Sequence, residues 1–234
     1  MTESRTPGPL ALVGSGEYLK VMAPIEADLI AGRGSRYVQL ATAAVPDGDH
    51  VVAKWHRLGA EQAERLGVTQ VILPVATRDD ANDPAIAALV ADAGLIYLSG
   101  GHPAFLADTL RGTLVWEAIV ATWQAGAALA GCSAGAMVMG SWVPNVRGEG
   151  GAEGLGVLPS VRVIPHYDAF FSRMMNVRDR FRGVDPSVQL VGVDENTALV
   201  GGPGHWRVAG ASKVWLLSDD GDRSFGAGEL VPLP

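Results

Sequence analysis

A chain of 234 residues, 48% hydrophobic and only 18% charged, has the length of one generous α/β domain and the composition of a packed globule. Eighteen basic against twenty-five acidic residues leave a net charge of −7 with no Lys/Arg run, which argues against nucleic acid and anionic membranes as partners. The single cysteine, Cys132, excludes an intrachain disulfide and a cysteine-built zinc site, and no stretch reaches the ~18–20 apolar residues of a membrane helix or the apolar core of a leader. A soluble, cytoplasmic protein with no metal and no cofactor is expected.

Thirty glycines punctuate short apolar runs at residues 10–13, 37–41, 71–75, 95–98 and 127–130. Each run is too short for a helix and nearly unbroken, which predicts five parallel strands buried on both faces. The first is followed by Gly14-Ser15-Gly16-Glu17-Tyr18-Leu19, which begins like a dinucleotide fingerprint and fails it at Leu19, so no nicotinamide cofactor is expected. Helical spacing appears in Val52, Trp55, His56 and residues 59–66, in Ile86, Leu89 and Val90, and in Val115, Trp116, Ile119, Val120 and Trp123. Asp79, Asp80 and Asp83 read as a solvated loop with a helix cap. This alternation predicts a doubly wound, mostly parallel sheet flanked by helices, with any site at the carboxyl ends of the strands.

After residue 140 the texture changes. A glycine-rich loop (Gly148, Gly150, Gly151, Gly154, Gly156) leads to a short run at 161–165 and a charged helix candidate over 168–182. Four β-like runs, 188–193, 197–200, 206–208 and 214–217, predict a partly antiparallel edge completing the same sheet, residues 1–234 forming one domain.

The chemistry concentrates in a few segments. Gly131-Cys132-Ser133-Ala134-Gly135 joins an apolar strand to a helix-compatible run, the setting of a nucleophile elbow, with Ser133 as nucleophile. A serine needs a base. His50 and His56 fall in or beside a helix away from strand ends, and His205 lies among late turns, whereas His166 directly follows the run 161–164 and emerges where Ser133 does. An orienting carboxylate is available in Asp194-Glu195 at the end of another run. Alternation sends these two side chains opposite ways, so at most one faces His166 and the other caps the following turn. Ser99-Gly100-Gly101-His102-Pro103 follows the fourth run and can present the Gly101 N–H opposite that of Ala134, two donors for an oxyanion.

Taken together, the pieces GSGE (14–17), SGGH (99–102), GCSAGA (131–136), IPHYD (164–168) and GVDENTAL (192–199) resemble the serine peptidase family that contains peptidase E and cyanophycinase, whose fold is similar to that of class I glutamine amidotransferases. The resemblance implies Ser133 as nucleophile, His166 as base and Glu195, not Asp194, as third member, acting on small peptides beside aspartate. It also implies substrate contacts from the residue after the glycine pair, here His102 where an amide is expected, and from Arg180, fourteen residues beyond His166. Arg173, Arg178 and Arg182 are neighbours of a type that often forms a solvated face.

Three rivals remain in view: an esterase-type hydrolase using Ser133, Asp185 and His205; a cysteine amidotransferase, for which Cys132 stands one place early; and a binding protein without chemistry. Six tryptophans and the late strands admit a homodimer.

Overall fold

The computed structural model describes residues 6–145, 150–169, 177–182, 185 and 187–233. All five apolar runs form strands: β1 (Leu10–Val13), β2 (Arg36–Leu40), β3 (Thr69–Ile72), β4 (Ala93–Leu98) and β5 (Ala128–Cys132). They lie parallel in the order β1-β5-β4-β2-β3. β1, β4 and β5 are buried along their whole length, which is why their residues are apolar without alternation.

Helices pack on both faces. α1 (Ala23–Ile30) and α2 (Asp49–Leu66) follow β1 and β2, α3 (Arg78–Ala81) and α4 (Pro84–Ala88) follow β3, and α5 (Pro103–Leu110) and α6 (Leu114–Gln124) join β4 to β5. α7 (Ala134–Met137) is the short helix behind β5. The acidic cluster of the third connection does cap helices. Asp80 closes a capping box with Thr77 at α3, and Asp83 accepts the Ala85 N–H at α4.

The later half departs from a single completed sheet. β6 (Trp142–Pro144) pairs antiparallel with β7 (Gly151–Glu153). β8 (Val161–Ile164) pairs parallel with β9 (Gln189–Val193), and β9 pairs antiparallel with β12 (Val214–Leu217), which pairs with β13 (Arg223–Phe225). Among the described residues only β10 (Thr197–Gly201), β11 (Trp206–Gly210) and β14 (Leu230–Val231) extend the main sheet, as an antiparallel edge beside β1. Two of the four late runs therefore belong to a second, four-stranded sheet. Strand patterning marks which residues can pair but does not name the partner, so both placements fit it equally.

The two sheets share one apolar cluster, in which Leu12, Ile96 and Leu129 of the first join Val163, Val191 and Val214 of the second. On β8, Arg162 lies over the Trp142 ring at 4.8 Å and donates to the Phe181 carbonyl, tying β8 to β6 and to α8 (Val177–Arg182). The helix expected over 168–182 does not begin at Asp168, which sits in a turn; residues 170–176, Arg173 among them, lie outside the described residues.

Candidate active site

The elbow is built by contacts that only glycine permits. A Cβ on Gly131 would lie 2.3 Å from the Gly135 carbonyl oxygen, and one on Gly135 would lie 2.2 Å from that of Leu98. The turn can thus close on itself and on the end of β4. Ser133, caught between, adopts φ 50° and ψ −109°, outside the regions open to L-residues at low cost, and its N–H is held by the Val13 carbonyl at 2.9 Å.

The second sheet delivers the other two groups. β8 ends at Ile164, and His166 follows with φ 48°. Its Nε2 lies 3.1 Å from Ser133 Oγ and its Nδ1 lies 2.8 Å from Glu195 Oε1. Glu195 follows β9, the strand paired with β8, so neighbouring strands of one sheet present the imidazole and the carboxylate side by side. Both side chains are partly open to solvent. Asp194 turns the other way: buried, it accepts from the Ser212 hydroxyl, the Lys213 N–H and Trp215 Nε1, closing the turn into β12.

Two backbone amides stand near the elbow in sequence or packing: Ala134 follows Ser133, and Gly101 follows Gly100, on which a Cβ would lie 3.3 Å from Ser133 Cβ. The N–H groups on either side of Gly101 are engaged, Gly100 with Glu17 and His102 with the Ala43 carbonyl, whereas that of Gly101 donates to none of the described residues. The Ala134 N–H, at the first position of α7, has no intrahelical acceptor. Gly101 is at φ +143°, and a Cβ there would lie 2.2 Å from the Ala43 oxygen, so the turn requires glycine.

The remaining candidates scatter. His102 Nε2 lies 2.8 Å from Asp47 Oδ1, binding the start of α5 to the 3₁₀ turn Thr42–Asp47. Arg178 forks onto Asp222 and Arg182 reaches Asp219, while Arg180 donates to the Asn145 carbonyl beside β6. His205 adjoins Gly201, which pairs with Leu10; Ser133 follows Cys132, which pairs with Val13 at the other end of β1. His205 is therefore at the opposite end of these strands from Ser133, and Asp185 is occupied in capping Ser187. That removes the geometry of the esterase alternative. Cys132 is fully buried, donates from Sγ to Glu17 Oε2 at 2.8 Å, and burial pushes its thiol pKa well up, the reverse of an activated nucleophile.

One placement corrects the sequence reading. His56 is not remote from strand ends: it lines a cavity of about 200 Å³ with Ala41, Thr42 and Leu73, the residues that follow β2 and β3, and burial lowers its pKa. Two acids escaped notice. Asp168 accepts the Glu195 N–H at 2.9 Å, and Glu17 lies beneath the elbow. Each stands in a motif quoted for its resemblance, IPHYD and GSGE, and that was the only signal pointing to either.

A hydroxyl, an imidazole and a carboxylate in one hydrogen-bonded line is the constellation that serine hydrolases use on many folds. The chain belongs to peptidase family S51, whose model matches residues 10–206, the family its motifs resemble. It is 31% identical over 172 residues to the cyanophycinases of Synechococcus elongatus and Thermosynechococcus vestitus, covering 68% of this chain and 52% of each relative, so it spans about half the length of these curated proteins. Among solved structures it is similar to a peptidase from an acI-B1 Actinobacterium, with a TM-score of 0.90 and 42% identity over 98% of both chains. A protein provisionally assigned as peptidase E from Listeria monocytogenes EGD-e shares the fold alone, with a TM-score of 0.60 and 16% identity over 95% of this chain and 100% of that one. Among the described residues no helix is long and apolar enough to cross a membrane.

Proposed function

We propose that this chain is a serine peptidase acting on small peptides through Ser133, His166 and Glu195. The observation that carries the reading is the continuous contact from Ser133 Oγ through both ring nitrogens of His166 to Glu195 Oε1, at 3.1 and 2.8 Å, with Ser133 on a strained turn.

His166 Nε2 takes the Ser133 proton as Oγ attacks the scissile carbonyl, and the Gly101 and Ala134 amides receive the negative charge that develops on the carbonyl oxygen. Glu195 stabilises the imidazolium, which then gives its proton to the leaving amine. Water, losing a proton to the same nitrogen, attacks the acyl-enzyme, and the serine leaves with that proton. Each imidazole step thus uses one nitrogen for the proton in flight and the other for orientation.

The finer part of the reading is a preference for substrates carrying a carboxylate beside the scissile bond. It rests on the spacing of Arg180, fourteen residues beyond His166, which is the spacing the family resemblance implies for a substrate-binding arginine. His102 joins the substrate-binding set because it adjoins Gly101, although its ring is held by Asp47.

The test is a digest of a small peptide panel with wild type and Ser133→Ala, containing Asp-Xaa, β-Asp-Arg, neutral dipeptides and peptides blocked at either end. Cleavage by wild type and none by Ser133→Ala is expected, with Asp-containing peptides cut fastest and slowed by Arg180→Met. Cleavage by the alanine variant at the wild-type rate would remove the proposal.

A further inference from the structure

The loop that follows β1 reaches the elbow, the glycine turn after β4 and the acid-bearing turn after β9. Gly14 packs so closely on the acid-bearing turn that a Cβ would lie 2.1 Å from the Asp194 carbonyl oxygen, and one on Gly16 would lie 2.4 Å from Asn196 Oδ1. The Val13 carbonyl holds the Ser133 N–H, and the Tyr18 hydroxyl meets Ser99 Oγ at 2.7 Å. Glu17, between them, is only 6% exposed. Its Oε1 accepts the Gly100 N–H at 3.0 Å and its Oε2 accepts from the Cys132 thiol at 2.8 Å. A Cβ on Gly100 would fall 2.8 Å from Glu17 Oε1 and 3.3 Å from Ser133 Cβ, so the carboxylate, the glycine turn and the nucleophile are packed in direct succession. The chain enters and leaves this position through left-handed backbone at Gly16 (φ 85°) and at Tyr18 (φ 63°), a conformation that costs a tyrosine and is held by the contacts around it.

We propose that the 14–18 loop is a brace for the reaction centre and that Glu17 is its positioning residue. By gripping the Gly100 amide and the Cys132 thiol with its two oxygens, it fixes the separation of the turn that carries Gly101 from the elbow that carries Ser133 and Ala134. The inference rests on the reading of Ser133 as nucleophile and of Gly101 and Ala134 as oxyanion donors. Two donors act together only if their spacing matches the oxyanion, and a displacement of about 1 Å in such a constellation costs on the order of 100-fold in rate. Cys132 thereby gains a use as the hydrogen-bonded backing of the residue beside it.

The test measures the rate at which an active-site-directed fluorophosphonate modifies the full-length protein, mapped by mass spectrometry, together with kcat and KM on whichever panel peptide is cut. Glu17→Ala and the volume-preserving Glu17→Met are expected to slow modification of Ser133 and to lower kcat by about 10- to 100-fold, with KM changed less than about threefold. Glu17→Gln keeps an acceptor for the Gly100 N–H and should restore the rate to within about threefold. A rate within threefold of wild type in folded Glu17→Met overturns the brace, as does a full loss in Glu17→Gln. Failure of wild type to be modified at Ser133 overturns instead the nucleophile reading beneath it.

Discussion

The two sheets contribute to the site by different physical means. On the first, Ser133 is placed mainly by backbone, with the buried Glu17 carboxylate bracing it from below: glycines at 131 and 135 let chains touch, and β5 delivers the elbow from a core without exposed surface. On the second, His166 and Glu195 stand at a rim partly open to solvent, placed by side chains. Asp168 holds the Glu195 amide, and Asp194 anchors the end of β9 to β12. The difference teaches where each half is vulnerable: the serine side to added atoms at its glycines and to loss of the Glu17 brace, the base side to loss of Asp168 and Asp194.

The sharpest way to break the contrast is Gly135→Ala. Its methyl group would meet the Leu98 carbonyl oxygen at 2.2 Å, a backbone atom that cannot swing aside, so a loss of at least ~3 kcal/mol is expected in urea unfolding. Asp194→Ala should come next. Three donors lose a buried acceptor, with an expected cost of about 3 kcal/mol and a fall in Tm of roughly 6–12 °C by calorimetry. If Asp194→Ala left Tm unchanged, side-chain anchoring of the second sheet would be wrong.

The serine side also hides an acid of its own. Glu26 on α1, 1% exposed, accepts from the Tyr37 hydroxyl at 2.7 Å, and burial raises its carboxyl from 4.5 to about 7. Its folded pKa lies above the unfolded one, so the folded state binds the extra proton between these values. The contribution to stability is full below pH 4.5 and is lost as pH rises through 7, at up to ~1.4 kcal/mol per pH unit. Stability measured from pH 5 to 7.5 should therefore fall more steeply for wild type than for Glu26→Gln; parallel curves would contradict the buried, protonated state.

The smallest expected effect is on the base side. Asp168→Ala should lower turnover about tenfold by loosening Glu195, equivalent to about 1.4 kcal/mol of barrier, while Asp168→Asn, which keeps an acceptor for the Glu195 N–H, recovers most of it. Equal losses in both variants would point to charge, not orientation.

The same division governs what the sequence discloses. The five parallel strands and the elbow are legible because burial on both faces and close backbone approach leave marks in composition, as unbroken apolar runs and fixed glycines. The second sheet is not legible as a separate sheet, because residues 189–193 and 214–217 carry the same apolar pattern whichever neighbour they pair with. Nor do Glu17 and Asp168 announce themselves. An acid in a loop has no periodicity, and their partners lie 83 and 27 residues away. His56 looks remote for the same reason, since its cavity forms only when residues 41–42 and 73–76 return beside α2.

The central claim is that one site is assembled from both sheets, the hydroxyl from the first and the imidazole with its carboxylate from the second. The most direct test is to map the residue modified by a fluorophosphonate in wild type, His166→Ala and His205→Ala. Modification confined to Ser133, nearly abolished in His166→Ala and unchanged in His205→Ala, is the predicted result; modification at another residue, or a Ser133 rate indifferent to His166, would contradict it.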